Sequence, residues 1–536
     1  MIGLKNGYCS HNIIVTQATA QETIGMLDIA NLTKSRQLHA YFALFVFLSI
    51  LWICYAYCFN TPIFPLDDGF IVLHNAQVLH DGYDRNYVGV PALAGATSPL
   101  HLLVLYVLLF FISPLWAMAT ANWLAIIAFG LGLLRLAFIF RASFLQATLF
   151  CISGLTIGLM IFQLLNGLET GLSLAAVTWL LCLSINPTQR ILRSIICGLL
   201  PFLHPELLLL SVSLWGFYGW QYWQRDREIK SVFRYLAEDA GWMGLAALPW
   251  IMWYWWSFGT PYPLTISAKQ AFFAQLYLPF LAKWKIFYKY FINFIFFMGY
   301  FNGIGMILLL LLTPLGRTGF FSLSCFFLLY LFIYPDGLEM NYQRYIYANF
   351  PVLLFGLISC INYPQKLIRG LANAILIYTA ICSFFMFPLR VRDFIYFSVV
   401  QTVKQTHVAS WTMKNLPSNS VLLILDAGYM AYATPFHLID LVGLKTPAMI
   451  RFHQQYTLPS VGKDRSKAIA AIISATHPNY LIDFPIWEHG LGILQNLDSY
   501  GWHLQMVHFH GKDGYRVYKI LPKASNNELL YWRQSL

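Results

Sequence analysis

Apolar residues run along this chain in blocks too long for strands, separated by short polar breaks. Blocks at roughly 39–58, 119–140, 145–163, 170–185, 194–204, 206–223, 238–257, 290–312, 319–334, 346–361 and 370–388 mostly approach the ~20 residues an α-helix needs to cross a bilayer. The block at 194–204 is too short to cross alone, and His204-Pro205 at its end marks a broken span. A shorter run, "LHLLVLYVLLFFI" at 100–112, lies between Ser98-Pro99 and Ser113-Pro114 and reads as a juxtamembrane helix. Past residue 390 the period changes. "SVLLILDAGYMAYAT", "HLIDLVGL" and "NYLIDF" read as strands, "DRSKAIAAIISATHP" as a helix, and Asp513-Gly514 between alternating apolar residues as a hairpin turn. The pattern predicts a polytopic α-helical membrane protein of about eleven spans, with an N-terminal tail at 1–38, a membrane domain at 39–388 and a soluble α/β domain at 389–536.

Composition points the same way: 58% hydrophobic and 11% charged residues, with a mean hydropathy of +0.59, exceed what one soluble core could bury. The formal charge of +11 is spread in small groups between the blocks, so it reads as a topology signal and not as a nucleic-acid surface. Arg141, Arg190 with Arg193, Arg225 to Arg234, Arg317, and Lys366 with Arg369 fall in one set of loops, which the charge rule makes cytoplasmic. Lys34 and Arg36 place the N-terminus on the same side. Residues 60–118 then form one outward loop, and the C-terminal domain is extracytoplasmic, on a cytoplasmic (inner) membrane. The first 38 residues lack a cleavable-signal pattern, the Asn31-Leu32-Thr33 sequon falls on the cytoplasmic side, and the nine cysteines show no CxxC or Cys/His metal spacing.

On this topology Asp67, Asp68, Glu169, His204, Glu206, Lys269 and Arg344 meet at one membrane face, as an active site at a bilayer surface requires. Each has a plainer reading. Asp67 or Asp68 suits the N-cap of the helix that follows. Lys269 and Arg344 could snorkel to headgroups, and Lys283, Lys285 and Lys289 read as interfacial anchors. Glu169 suits a helix N-terminus, while an ionised carboxylate deep in lipid would cost ~2.5 to 3.5 kcal/mol, which turns it toward a pocket.

"FPLDDGFIVLHNAQVLHDGY" followed by "GATSPL" at 95–100 resembles the first outer loop of GT-C superfamily glycosyltransferases, in particular the terminal arabinofuranosyltransferase type. "GLET" at 167–170, "HPE" at 204–206, "FGTPYPLTISAK" at 258–269, "QRY" at 343–345, and "DAGYMAY" with "IDLVGL" continue the likeness in order. His204 stands where that family has arginine, Leu264 where it has asparagine, and the first-loop arginine is replaced near His74.

The resemblance implies a polyprenyl-phosphate sugar donor, a hydroxyl acceptor on a cell-envelope glycan or lipid, and inversion at the anomeric carbon. Asp67, leading the pair, is the expected general base, with Asp68 as its orienter or with the roles exchanged. Lys269 and Arg344 are expected to hold the phosphate as its charge grows. His204, Glu169 and Glu206 line the site, and Thr97 and Ser98 position sugar or loop. A divalent metal is compatible with a carboxylate pair beside a phosphate, though no spacing demands one. The competing reading is a transporter or lipid-carrier flippase, in which intramembrane charges mark a transport path.

Overall fold

A computed structural model describes residues 37–55, 60–295, 302–511 and 514–523. Cys9, the 31–33 sequon, Lys34, Arg36, Cys58 and Asp513 of the hairpin turn lie outside them. The chain divides into two units at Cys58/Phe59. In the first stands α1 (Gln37–Tyr55), apolar enough to cross a membrane.

The second unit begins with the 60–118 segment, expected to be an outer loop. Asp68–Asp81 forms α2, ended by Gly82 in the left-handed conformation (φ 79°), and Pro99–Leu109 forms α3. At 11 residues α3 is about 16 Å long, half a hydrocarbon core. Serine or threonine before proline starts several helices, since proline at the first position lacks only an N–H that would be orphaned there. Ser98 does so for α3, accepting from the His101 N–H at 3.2 Å. Ser113 precedes α4 (Pro114–Ile139), and Thr313 caps α14 (Pro314–Ile333) through the Gly316 N–H.

Among the described residues, four helices are long and apolar enough to cross alone: α1, α4, α14 and α17 (Lys366–Asn415). The other expected spans are shorter, broken or, as with the helices over 208–226 and 229–258, not apolar enough. The 145–163 block becomes α5 (Phe144–Thr156) and α6 (Met160–Leu165), and α7 covers Thr170–Ile185. The 194–204 block is α8 (Arg190–Leu199), running into a 3-10 turn at Leu200–Phe202. His204 then takes extended backbone (φ −153°, ψ 115°) before α9 (Leu208–Asp226). α10 (Ile229–Phe258) ends at Gly259, φ 69°, and α11 (Thr265–Phe273) follows. The 290–312 block splits into α12 (Phe280–Asn293) and α13 (Gly303–Leu310). α15 (Met340–Tyr347) and α16 (Phe350–Ser359) precede α17. α4 packs on α7, α8 on α10, and α9 on α14.

Residue 389, expected to open the soluble domain, lies one residue past Pro388 inside α17, a single helix of 50 residues. At 1.5 Å per residue it is about 75 Å long, more than twice a bilayer crossing, so it runs from the membrane domain into the next. The sheet beyond it has the order β2-β1-β3-β5-β4, with β1 (Val421–Ile424), β2 (His437–Asp440), β3 (Tyr480–Asp483), β4 (Trp502–Phe509) and β5 (Arg516–Pro522). β1 pairs parallel with β2 and β3; β5 pairs antiparallel with β3 and β4.

Alternation along the strands sends Leu423, Ile439 and Leu481 to one side, where helix Arg465–Thr476 covers them with Ile469, Ile472 and Ile473. Leu422, Ile424 and Ile482 point to the other side, against Val408 and Ala409 of α17 and against Ile71 and Tyr87 of the outer loop. The outer loop and the C-terminal domain therefore share one core.

Candidate active site

Asp67 and Asp68 are neighbours with different surroundings. Asp67 Oδ2 accepts from the Gly428 N–H at 2.6 Å, and its Oδ1 from the Tyr429 N–H at 2.8 Å and Gln405 Nε2 at 3.0 Å. Its side chain makes no cap hydrogen bond to α2; it ties the start of α2 to α17 and to the loop after β1. Burial and the nearby Asp426 carboxylate push it up to about 8, against the pull of the two N–H groups. Asp68, one residue on, turns toward Arg344. Asn341 Nδ2 donates to its Oδ2 at 2.8 Å, and Arg344 Nη1 lies 3.8 Å from the same atom. Burial raises the Asp68 carboxyl, and the charges of Lys269 and Arg344 with the Asn341 amide more than reverse this, holding it below the ordinary aspartate value.

Two turns deliver the cations. After Gly259 the segment "TPYP" leads into α11, where small Ala268 and Ala271 pack against Ile450 and Lys269 extends a turn beyond Thr265. Ahead of Arg344, Asn341, Tyr342 and Gln343 sit consecutively at φ 51°, 60° and 67°. Left-handed backbone costs non-glycine residues about 1–2 kcal/mol each. The surroundings hold the turn in place: Gln163 Nε2 donates to the Tyr342 carbonyl at 2.6 Å, the Tyr342 ring lies 4.3 Å from Phe162, and Asn341 is engaged by Asp68. The turn aims Arg344 inward, where it is buried.

Lys269 Nζ and Arg344 Nη2 both donate to the Tyr345 hydroxyl, at 3.1 and 3.3 Å. Lys269, Tyr345, Glu206, Tyr330 and Thr97 give polar groups to a cavity of about 740 Å³, whose other walls are chiefly apolar residues of α8, α9, α10, α11 and α14, among them Leu208, Ala247 and Ile333. His204 is fully buried behind this wall. Its Nδ1 is 2.5 Å from Glu206 Oε2, and its Nε2 is 3.9 Å from Glu169 Oε1. Tyr330 donates its hydroxyl to Glu206 Oε1.

The structure thus places Thr97, Glu206 and Lys269 on the cavity wall, with His204 and Glu169 behind Glu206 and with Arg344 and Asp68 behind Tyr345, while Asp67 faces the C-terminal domain. Ser98 donates to the Phe202 carbonyl at 3.0 Å and caps α3, a structural role. Thr260 bonds the Tyr262 carbonyl within its own turn. Lys283, expected at the interface, is buried and donates to the Leu276 and Phe332 carbonyls at 2.7 and 2.6 Å. His74 lies 3.6 Å from Asp84, in a network where buried Lys445 donates to Asn75 Oδ1 at 2.5 Å and Asn86 donates to the Thr434 and Phe436 carbonyls. Among the described residues, no three His, Cys, Asp or Glu side chains come together to hold a metal ion. Sequence reasoning passed over Asn341, Tyr345 and Tyr330. Tyr345 carried a signal in "QRY", where it directly follows the arginine.

Paired charges beside an apolar cavity, built on helices long and apolar enough to cross a bilayer, define a multi-pass membrane protein with a buried polar site. Its architecture is the GT-C fold, shared with ArnT from Cupriavidus metallidurans bound to undecaprenyl phosphate: TM-score 0.50 at 12% identity, covering 89% of this chain and 98% of that one. The apo state of the same ArnT (TM-score 0.47, 12% identity, 89% and 97%) and an Archaeoglobus fulgidus oligosaccharyltransferase in its apo form (TM-score 0.44, 12%, 89% and 74%) are also similar. Residues 395–526 match a family described as "Domain of unknown function (DUF8728)". No curated protein sequence matches the chain.

Proposed function

We propose that this protein is a membrane glycosyltransferase that takes a sugar from a polyprenyl-phosphate donor and passes it to an acceptor hydroxyl at the outer membrane face. The observation that carries this reading is the junction of two unlike halves: an apolar cavity of about 740 Å³ between membrane helices, and at its end Lys269 and Arg344 converging on the Tyr345 hydroxyl beside Asp68. A prenyl chain suits the first half and a phosphate the second. The fold supports the reading, since the similar ArnT was crystallised bound to undecaprenyl phosphate.

The leaving phosphate gains negative charge as the glycosidic bond breaks, and two fixed cations stabilise that charge without reorganising. The acceptor hydroxyl loses a proton as its oxygen attacks the anomeric carbon from the face opposite the phosphate. Asp68 is the base in this proposal. It is ionised at neutral pH, partly exposed, and adjoins the phosphate cations, whereas three donors already occupy Asp67. Asp67 anchors its neighbour to the C-terminal domain. Glu169 and Glu206 line the site, and Thr97, bonded to Thr265 at 3.3 Å, shapes the cavity wall.

Asp68→Asn keeps size and hydrogen bonding and removes the base. Membranes carrying the full chain are expected to move label from polyprenyl-phosphate pentoses or hexoses to a cell-envelope acceptor, with the variant about 10²-fold slower or worse and unchanged in its elution from detergent gel filtration. Equal transfer by Asp68→Asn would remove the carboxylate from the chemistry.

A further inference from the structure

One hydrogen bond holds the Asp68 carboxylate. Asn341 Nδ2 donates to Oδ2 at 2.8 Å, while Arg344 Nη1 stands 3.8 Å from the same oxygen, close enough for charge attraction but too far for a hydrogen bond. Oδ1 has no hydrogen-bond partner among the described residues. The Asp68 side chain keeps 31% of its surface exposed against 3% for Arg344, so a hydroxyl from outside can approach the carboxylate. Arg344 cannot fix that carboxylate alone, because in the proposed transferase it also faces the leaving phosphate, and a cation between two anions is shared by both. Asn341 is neutral, so its hold on Asp68 is the same whether the phosphate is present or gone.

A turn that few residues can make puts the amide there. Asn341 lies at φ 51° and ψ 51°, the first of three consecutive left-handed residues, and asparagine is among the few side chains besides glycine that visit this region readily. Two helices brace the turn. From α6, Gln163 donates to the Tyr342 carbonyl at 2.6 Å and Phe162 packs on the Tyr342 ring at 4.3 Å; from α17, Phe397 lies 6.2 Å from that ring. These braces grip the ring and backbone of Tyr342, and the Asn341 amide is left for Asp68.

We propose that Asn341 is a positioning residue for the base: its amide holds the Asp68 carboxylate by Oδ2 and thereby presents Oδ1 to the acceptor hydroxyl. This rests on the transferase reading, with Asp68 as its base. In the step itself the acceptor O–H gives its proton to Asp68 Oδ1 while its oxygen bonds the anomeric carbon. The bond from that carbon to the phosphate oxygen breaks, and its electron pair leaves on the phosphate. Asn341 neither gains nor loses a proton. It keeps the carboxylate from swinging toward Arg344, so that the base is already aligned when the acceptor arrives.

Asn341→Gly separates the amide from the turn, because glycine takes left-handed backbone without strain and has no side chain to donate. For the purified full chain in detergent, its Tm is expected to match or exceed that of wild type, with an unchanged Kd for undecaprenyl phosphate. With the labelled undecaprenyl-phosphate pentose or hexose that the wild type accepts, kcat is expected to fall about ten- to a hundredfold while the donor KM moves less than about threefold. Asn341→Asp keeps the left-handed preference but sets a carboxylate against Asp68; it is expected to be at least as slow, and it decides the matter should Asn341→Gly not fold. In an Asp68→Asn background, Asn341→Gly is expected to cost nothing further. A wild-type kcat in Asn341→Gly, or the full loss repeated in the Asp68→Asn background, overturns the role of Asn341 and leaves the transferase reading intact. So does a Kd or KM that rises in step with the loss of kcat, which would mean that the turn serves Arg344 and the phosphate instead. If the wild type transfers label from none of these donors, the transferase reading fails and this inference falls with it.

Discussion

Asp67 and Asp68 share a peptide bond and little else. In the folded protein Asp67 reaches about 8 through burial and the charge of Asp426, and Asp426 itself is raised to about 6, mainly by burial. Unfolded, both carboxyls release their protons near pH 3.8. The folded state therefore holds protons that the unfolded state has given up, and stability declines as pH rises from about 4 through 6 toward 8. Thermal unfolding in detergent is expected to show a lower Tm at pH 8 than at pH 5, with a shallower difference in Asp426→Asn, which cannot repel Asp67. An identical slope in that variant would locate the effect elsewhere. A carboxylate pair beside a helix start was readable from the string of residues. Which member faces the site was not, because Gly428, Tyr429 and Gln405 sit more than 300 residues away and meet Asp67 only after the sheet has formed. Arg344 was readable in "QRY", but the left-handed turn that aims it was not, since Asn341-Tyr342-Gln343 carries no glycine to announce positive φ.

At the scale of elements, the membrane blocks were legible wherever a helix runs unbroken, as in α4, α7 and α14. Boundaries failed where proline or close packing decides the course of the backbone. The 370–388 block stops at Pro388, yet α17 runs on: Phe394 packs against Ile161 and Phe162 of α6, and Val408 and Ala409 pack on the C-terminal core. The contact between α2 and the loop after β1 depends on one glycine. A Cβ at Gly428 would lie 2.2 Å from the Asp67 carbonyl oxygen and 2.8 Å from the Ile71 backbone nitrogen, both of them backbone atoms that cannot swing away. Gly428→Ala is expected to cost about 1–3 kcal/mol and to loosen the loop from α2. Limited proteolysis would then cut between 416 and 436 faster than in wild type, and transfer would fall along with it. Unchanged cleavage would mean that the loop adjusts without strain.

For the second unit as a whole, the shared core has a functional corollary. Ile71 and Tyr87 from the outer loop stand in the same hydrophobic cluster as Leu422 and Ile482, and Tyr87 donates to the Ala427 carbonyl at 2.9 Å. The domain and the carboxylate-bearing loop must therefore lie on the same side of the membrane, and the charge pattern predicts that this side is the outside. Cysteine introduced at exposed Val88 is expected to react with an impermeant maleimide in intact spheroplasts, above the wild-type background. Protection until the membrane is permeabilised would invert the topology.

One helix links the lipid-embedded half of this unit to its sheet, and it works as a keyed shaft. Gln405 meets Asp67 only at one bearing of α17, and each residue added or removed between Pro388 and Gln405 turns everything beyond by about 100°. Such a shaft has few settings. Two whole turns, about seven residues, nearly restore the bearing but carry the sheet about 10 Å away from Asp67, Ile71 and Tyr87, so the loop that holds them would have to lengthen with the helix. In the proposed transferase, the reach toward an acceptor can thus change only in steps of whole turns.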